Sequence, residues 1–283
     1  MPADDALLSS SPSSASAVPS DGIYATFFGT FAVHRCGTRL ELGRSKPAGE
    51  LGRYLLARSG RPVAREELVE LLWPESDPGR AMHRLHVAVS SLRRVLDFPQ
   101  STESIVRHVD GTYAIASGAV QTDCDHFEGH FRCGRALLDQ HDWKGASTAF
   151  AAAIELYAGD YLAEYPYADW TQRYREHFAE RRINALLLLC EHALRQRDFV
   201  SVLEHAHRIL EADRLCEPAH RYLMRAYYWL GQRAPAVRQY GACVNALRAE
   251  LNVAPSELTQ SLFRAVCDDT PLPEEVLVEH LAA

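Results

Sequence analysis

The sequence contains no stretch of about 18 uninterrupted apolar residues, the length that a membrane-spanning helix requires. The longest apolar candidate, Ile183 to Cys190, is far shorter and contains Asn184. The first 20 residues include seven serines, but they lack the basic start and the apolar core of a signal peptide. We therefore expect a cytoplasmic protein with no membrane partner, and a disordered tail over residues 1–22.

Paired cysteines and catalytic motifs are missing as well. The seven cysteines are odd in number and form no C-x-x-C pair, which argues against a thiolate zinc site and a disulfide framework. No glycine-rich phosphate loop, H-E-x-x-H sequence or Ser/His/Asp order is present. His126 and His130 are four residues apart, with Asp123 or Cys133 as a third metal ligand, but a solvated helix face explains this spacing better. The sequence thus predicts no enzyme, no cofactor and no bound metal.

Basic charge is scarce overall and concentrated locally. With 30 basic and 37 acidic residues the net charge is −7, so any polyanion-binding surface has to be a local patch. The stretch 44–65 contains six basic residues, Lys46 among them, and one acidic residue, Glu50. The stretch 79–96 contains four arginines, two histidines and no acidic residue. These stretches place the candidate nucleic-acid-binding surface in the N-terminal half.

Strand and helix signals in the N-terminal half follow the order of a winged helix. Residues 23–33 and 39–42 predict a small β-meander around a Cys36-Gly37 turn. Three helices, over about 47–58, 65–72 and 79–96, are delimited by glycine and proline signals. Residues 105–115 then predict a β-hairpin with an Asp110-Gly111 turn.

The third predicted helix divides into two faces. At 100° per residue, one stripe is apolar and consists of Ala81, Leu85, Ala88, Val89, Leu92 and Leu96. The opposite face and its flanks carry Arg80, His83, Arg84, Val87, Ser90, Ser91, Arg93 and Arg94. Arginine and polar side chains suit guanine edges and phosphates, and an exposed valine suits a thymine methyl group. These residues, with Arg107 on the hairpin and Lys46, are the candidate DNA-binding residues; the alternative is a solvated basic helix on an inert domain.

From about residue 123 the sequence is nearly all helical and contains a degenerate repeat. Ala146, Val202 and Ala236 occupy equivalent positions in three units. The second and third are 34 residues apart, which is the tetratricopeptide period, and the first two are separated by one period and a 22-residue insertion. Aromatic residues between Tyr157 and Tyr174 predict packing between helices rather than a ligand pocket.

Several short sequences along the chain are specific in combination. In the N-terminal half they are F-G-T-F at 28–31 in the first sheet, G-R-P-V-A-R-E-E-L at 60–68, L-W-P at 72–74 and L-H-V-A-V-S-S-L-R-R-V-L at 85–96. In the C-terminal half they are E-P-A-H-R-Y-L-M at 217–224, G-Q-R at 231–233, R-Q-Y at 238–240 and E-L-N-V-A-P-S at 250–256. Together they resemble the Streptomyces-antibiotic-regulatory-protein (SARP) type of activator over about residues 23 to 267.

The resemblance implies an OmpR-type winged helix followed by a bacterial transcriptional activation domain. It further implies an activator that binds promoter repeats as a homodimer and contacts RNA polymerase, with residues 79–96 as recognition helix and 107–113 as wing. The chain departs from the family pattern at His83 and Ser91, where Asn and Arg are common, and at Ala64, where Ser is usual.

The expected fold is mostly α with a small β component. We expect a winged helix-turn-helix DNA-binding domain over 23–118 and an all-α, tetratricopeptide-like domain over 121–269. The tails would be residues 1–22 and 270–283.

Two functions are compatible with this organisation. The first is a sequence-specific DNA-binding regulator, which the acid-free stretch 79–96 favours. The second is a tetratricopeptide scaffold whose winged helix no longer binds DNA, for which His83, Ser91 and the negative net charge leave room.

Overall fold

The computed structural model describes residues 22–42 and 45–272, so the two predicted tails lie almost wholly outside the described residues. The described chain forms two compact units. Residues 22–25 and 32–121 make up the first, and residues 26–31 together with 122–272 make up the second. The chain therefore leaves the first unit after residue 25, contributes residues 26–31 to the second unit, and returns to the first unit at residue 32.

The first unit contains two small sheets and three helices. The elements in chain order are β1 (Ile23–Thr26), β2 (Ala32–Arg35), β3 (Thr38–Leu40), α1 (Lys46–Ala57), β4 (Val63–Ala64), α2 (Arg65–Leu72), α3 (Pro78–Leu96), β5 (Val106–Val109), β6 (Thr112–Ile115) and β7 (Val120–Thr122). The strand orders are β3-β2-β1-β7 and β4-β6-β5. Fully buried leucines from all three helices form the core, among them Leu51, Leu55, Leu68, Leu85 and Leu92.

Both predicted hairpin turns are present. Antiparallel β2 and β3 are joined by Cys36 and Gly37, and antiparallel β5 and β6 by Asp110 and Gly111. All four turn residues have a positive φ, between 47° and 76°. Two consecutive positive φ angles define the turn type whose twist matches that of the flanking strands, and Gly and Asp adopt it at low cost.

The second unit is a stack of antiparallel helix pairs. Its helices are α4 (Asp123–Asp139), α5 (Trp143–Leu156), α6 (Gln172–Arg195), α7 (Phe199–Ala212), α8 (Glu217–Trp229), α9 (Arg233–Leu251) and α10 (Glu257–Asp268), with a short 3-10 helix at Asp169–Thr171. The repeat positions Ala146, Val202 and Ala236 lie near the start of α5, α7 and α9 and are at most 1% exposed. Ala146 and Ala236 are small, which allows neighbouring helices to approach closely. The predicted fold class, mostly α with a small β component, is confirmed.

The prediction that residues 28–31 lie in the first sheet is wrong. β1 ends at Thr26 and β2 begins at Ala32. The aromatic side chains between these strands, Phe27, Phe28 and Phe31, are buried in the helical unit instead. Rich aromatic content favours strands, but the burial that this helical unit offers outweighs that preference.

Among the described residues, no helix is both long and apolar enough to cross a membrane. The Asp123 carboxylate, considered above as a metal ligand, accepts hydrogen bonds from the backbone amides of Phe27 and Phe28. Its oxygens are therefore already engaged by groups of the protein. Within the described residues no three His, Cys, Asp or Glu side chains are grouped so that they could hold a metal ion.

Candidate nucleic-acid interface

Helix α3 begins at a well-formed cap. Asp77 is its N-cap, and its Oδ1 accepts hydrogen bonds from the amides of Gly79 and Arg80, each at 3.1 Å. Pro78 occupies the first helical turn, where its missing N–H would have had no partner within the helix. The rest of the first turn carries neutral and basic side chains and no carboxylate.

The two faces of α3 are those that the sequence predicts. Every residue of the apolar stripe is buried. On the other face the exposed residues are Arg80, His83, Arg84, Val87, Ser90 and Arg94, while Ser91 and Arg93 are half-buried. Val87 is 57% exposed, so its methyl groups are available to a partner.

The two neighbouring arginines near the end of α3 differ in their surroundings. The Arg93 guanidinium donates to the carbonyl oxygen of Val106 from Nε at 3.0 Å and from Nη2 at 2.8 Å. It therefore fastens the β5–β6 hairpin to α3, whereas Arg94 projects from the exposed face. Of the two, Arg94 is the one placed to reach a ligand.

The β5–β6 hairpin forms a wing beside this helix. Arg107 on β5 is exposed and pairs with Glu103, with 2.9 Å between Nη2 and Oε2. The rings of His108 and Tyr113 stack across the two strands at 4.5 Å. Val109, next to the turn, is 60% exposed. Val109 is not among the residues that the sequence predicts for the site, because alternation along a short strand does not show which residue lies at the tip.

A cleft of about 890 Å³ runs along the exposed face of α3. From α3 it is lined by His83, Arg84, Val87, Ala88, Ser91, Arg94 and Val95. The opposite wall comes from Trp73 at the end of α2 and from Glu41, Ser45 and Pro47 around the start of α1. Lys46, 85% exposed and 3.9 Å from Glu50, lies beside this wall rather than in it. Trp73 is not among the predicted site residues. A signal for it was present in the sequence, because it is a tryptophan at the end of a predicted helix, immediately before Pro74.

The sequence of this chain matches two protein-family models. Residues 41–114 match the family model "Transcriptional regulatory protein, C terminal", and residues 122–267 match "Bacterial transcriptional activator domain". The second match alone covers half of the chain, and the order of the two is that of the SARP regulators. The chain belongs to the SARP family.

Curated relatives agree with this assignment. The SARP chain is 24% identical over 250 residues to the transcriptional regulatory protein MoaR1 of Mycobacterium tuberculosis, covering 88% of this chain and 80% of MoaR1. It is 26% identical over 251 residues to the regulatory protein AfsR of Streptomyces coelicolor, where it covers 88% of this chain but only 24% of AfsR. MoaR1 is a transcriptional regulatory protein and AfsR is a regulatory protein, and the prediction of a regulator rather than an enzyme is confirmed.

A solved structure supports the fold of this SARP regulator. Mycobacterium tuberculosis EmbR, in a complex with a low-affinity phosphopeptide, superposes with a TM-score of 0.77 at 19% sequence identity. The alignment covers 89% of this chain and 66% of the EmbR chain. At this identity the similarity concerns the fold.

Proposed function

We propose that this SARP regulator binds double-stranded DNA by placing α3 in the major groove and the β5–β6 wing against the neighbouring backbone. The observation that carries the proposal is the exposed face of α3, which presents arginine, histidine and serine around Val87 and contains no carboxylate. An α-helix fits the major groove, where arginine pairs with guanine and an exposed methyl group contacts thymine.

The polar residues have separable roles in this arrangement. Arg80, Arg84 and Arg94 are exposed on α3 and able to reach phosphates or base edges. Arg107 is available from the wing once its surface pair with Glu103 opens, which costs little because exposed pairs contribute under about 1 kcal/mol. Arg93 acts indirectly, because its bonds to Val106 hold the wing in place.

The salt dependence of binding tests the proposal. Four to five phosphate contacts predict that log K falls against log salt concentration with a slope of roughly −4 for each protomer. Arg94→Ala should weaken binding, whereas Arg238→Ala, an exposed arginine of the helical unit, serves as the matched control. No mobility shift of any promoter fragment at low salt, with the protein folded, would instead support the scaffold function.

We further propose that the regulator activates transcription, binding promoter repeats as a homodimer and contacting RNA polymerase through its helical unit. A protein partner for this unit is supported by exposed apolar side chains. Trp229 is 44% exposed and stacks on Phe199 at 5.5 Å, and the adjacent Val200 and Leu230 are 69% and 40% exposed. Such patches commonly mark protein-binding sites. Since bacterial promoters lie in the cytoplasm, this function requires the protein to act there.

Run-off transcription separates activation from DNA binding. Trp229→Ala should lower transcript yield from the regulated promoter and leave DNA affinity unchanged, because Trp229 belongs to the helical unit. Tyr167→Ala, which removes an aromatic side chain that is 95% exposed elsewhere in that unit, is the control. Equal transcription by all three proteins at saturating occupancy would contradict a polymerase contact at Trp229.

A further inference from the structure

The segment 26–31 occupies a site in the helical unit that has the features of a peptide-binding site. Its residues Phe27 and Phe28 are 1% and 3% exposed. They are separated by about 95 residues in sequence from the helix that binds them. We call the residues of the helical unit that contact this segment the seat; they come from α4, α6 and the connection between α5 and α6.

Three groups of the seat form hydrogen bonds with four backbone groups of the segment. The Asp123 carboxylate, at the start of α4, accepts the amide of Phe27 at 2.8 and 2.9 Å and the amide of Phe28 at 2.9 Å. The Gly29 amide donates to the carbonyl of Asp160 at 3.0 Å, and the Leu162 amide donates to the carbonyl of Phe27 at 2.8 Å. Main-chain bonds of this kind give affinity for an extended peptide irrespective of its side chains.

Aromatic rings supply the specificity. The Phe28 ring lies against Tyr157, Phe178 and Phe127, with centroid distances of 4.7, 5.0 and 5.5 Å. The Phe27 ring stacks on Tyr161 at 5.3 Å with an interplanar angle of 5°. Aromatic pairs at these distances add stabilisation beyond the area that they bury.

A glycine is required directly after the two phenylalanines. Gly29 has φ +77°, a conformation that L side chains rarely adopt. The opposing Gly159 is constrained by space instead, since a Cβ there would lie 3.1 Å from the Cα of Gly29, a tight contact. The seat thus selects two consecutive aromatic residues followed by glycine.

We propose that the helical unit is a receptor for an extended Phe-Phe-Gly segment, and that residues 26–31 fill this receptor in cis as a tethered ligand. The segment is joined at both ends to β1 and β2 of the other unit. Tethering raises the effective concentration of a ligand to the millimolar range, so the cis segment excludes a free peptide. The proposal does not depend on DNA binding.

A labelled peptide tests the receptor in the full chain. The probe is an end-blocked fluorescein peptide with the sequence of residues 24–33, and its anisotropy is followed against wild type and against a Phe27→Ala/Phe28→Ala chain. The substituted chain should bind the peptide at least tenfold more tightly than wild type, because its own segment no longer competes. Adding Asp123→Ala, which removes every acceptor oxygen at this position, should abolish this binding, and a peptide carrying Phe28→Ala should bind neither chain. Equal affinity for both chains, or no binding by a substituted chain with native circular dichroism, would overturn the proposal.

Hydrogen exchange supplies a measurement that does not require the double substitution to fold. In the full chain, Asp123→Ala should accelerate exchange of the amides in residues 27–29 at least tenfold, because their acceptor is removed, while the exchange of α8 stays unchanged. Asp142→Ala, which removes a helix cap away from the seat, should leave residues 27–29 protected. Unaltered protection in Asp123→Ala would show that the carboxylate does not hold the segment, and the proposal would fall.

Discussion

Replacing Leu92 and Arg94 by alanine separates folding from DNA binding on one helix. Leu92 is fully buried in the core, and its Cδ1 lies 3.1 Å from where a Cβ on Gly52 would be. Truncation leaves a cavity that Gly52, having no side chain, does not fill. We expect a loss of about 3 kcal/mol, within the usual range for buried leucines. For a domain of roughly 100 residues this lowers the melting temperature of the first unit by about 12–24 °C.

Arg94→Ala should have the opposite profile. Because the side chain is exposed, the free energy of unfolding should change by less than about 0.5 kcal/mol. If Arg94 contacts a base edge, binding should weaken by about 1–3 kcal/mol, roughly 5- to 150-fold, and discrimination at one operator position should relax. A phosphate contact would weaken binding to all sequences alike.

Arg93→Ala provides a neighbouring comparison. Its guanidinium holds the Val106 carbonyl, so its removal should destabilise the wing by about 1–2 kcal/mol and reduce binding as a consequence. Thermal circular dichroism and fluorescence anisotropy at one salt concentration measure all three variants. A stable Leu92→Ala protein together with an unfolded Arg94→Ala protein would refute the assignment of the two faces.

Three further changes have defined outcomes. Asp77→Ala removes the N-cap of α3 and should cost about 1 kcal/mol in thermal unfolding, without weakening DNA binding, because the lost charge is negative. Gly134→Ala places a Cβ 2.8 Å from the Phe150 ring and should destabilise the helical unit by about 1–3 kcal/mol, whereas Gly129→Ala, with open space around it, should not. Burial raises the pKa of Asp123 to about 6, above its ordinary value near 4, so the folded protein holds an extra proton between these values. Wild-type stability measured by urea unfolding should therefore rise relative to Asp123→Asn as the pH falls from 7 to 4; a constant difference would contradict the shift.

Local signals in the sequence determined the winged helix closely. Proline and aspartate before α3, the Asp110-Gly111 turn and the spacing of Leu85 and Leu92 each act over a few residues, so they appear directly in the sequence. The same holds for the repeat positions of the helical unit, since helix crossing demands a small residue at a fixed interval. The exposed face of α3 followed from this periodicity.

Only the tertiary structure decided where long-range partners meet. Arg93 and Arg94 are adjacent and chemically identical. Only the position of the Val106 carbonyl distinguishes them, because Arg93 donates to it and thereby holds the wing, whereas Arg94 is exposed. Likewise, an aromatic run around Phe28 predicts a strand, and only the folded chain shows that Asp123 accepts hydrogen bonds from its amides within the helical unit. Secondary structure follows from neighbouring residues, whereas a contact across about 95 residues depends on how the helices stack. The sequence alone therefore defined the two domain types and the exposed basic face of α3, and the tertiary structure revealed that the helical unit is completed by residues 26–31.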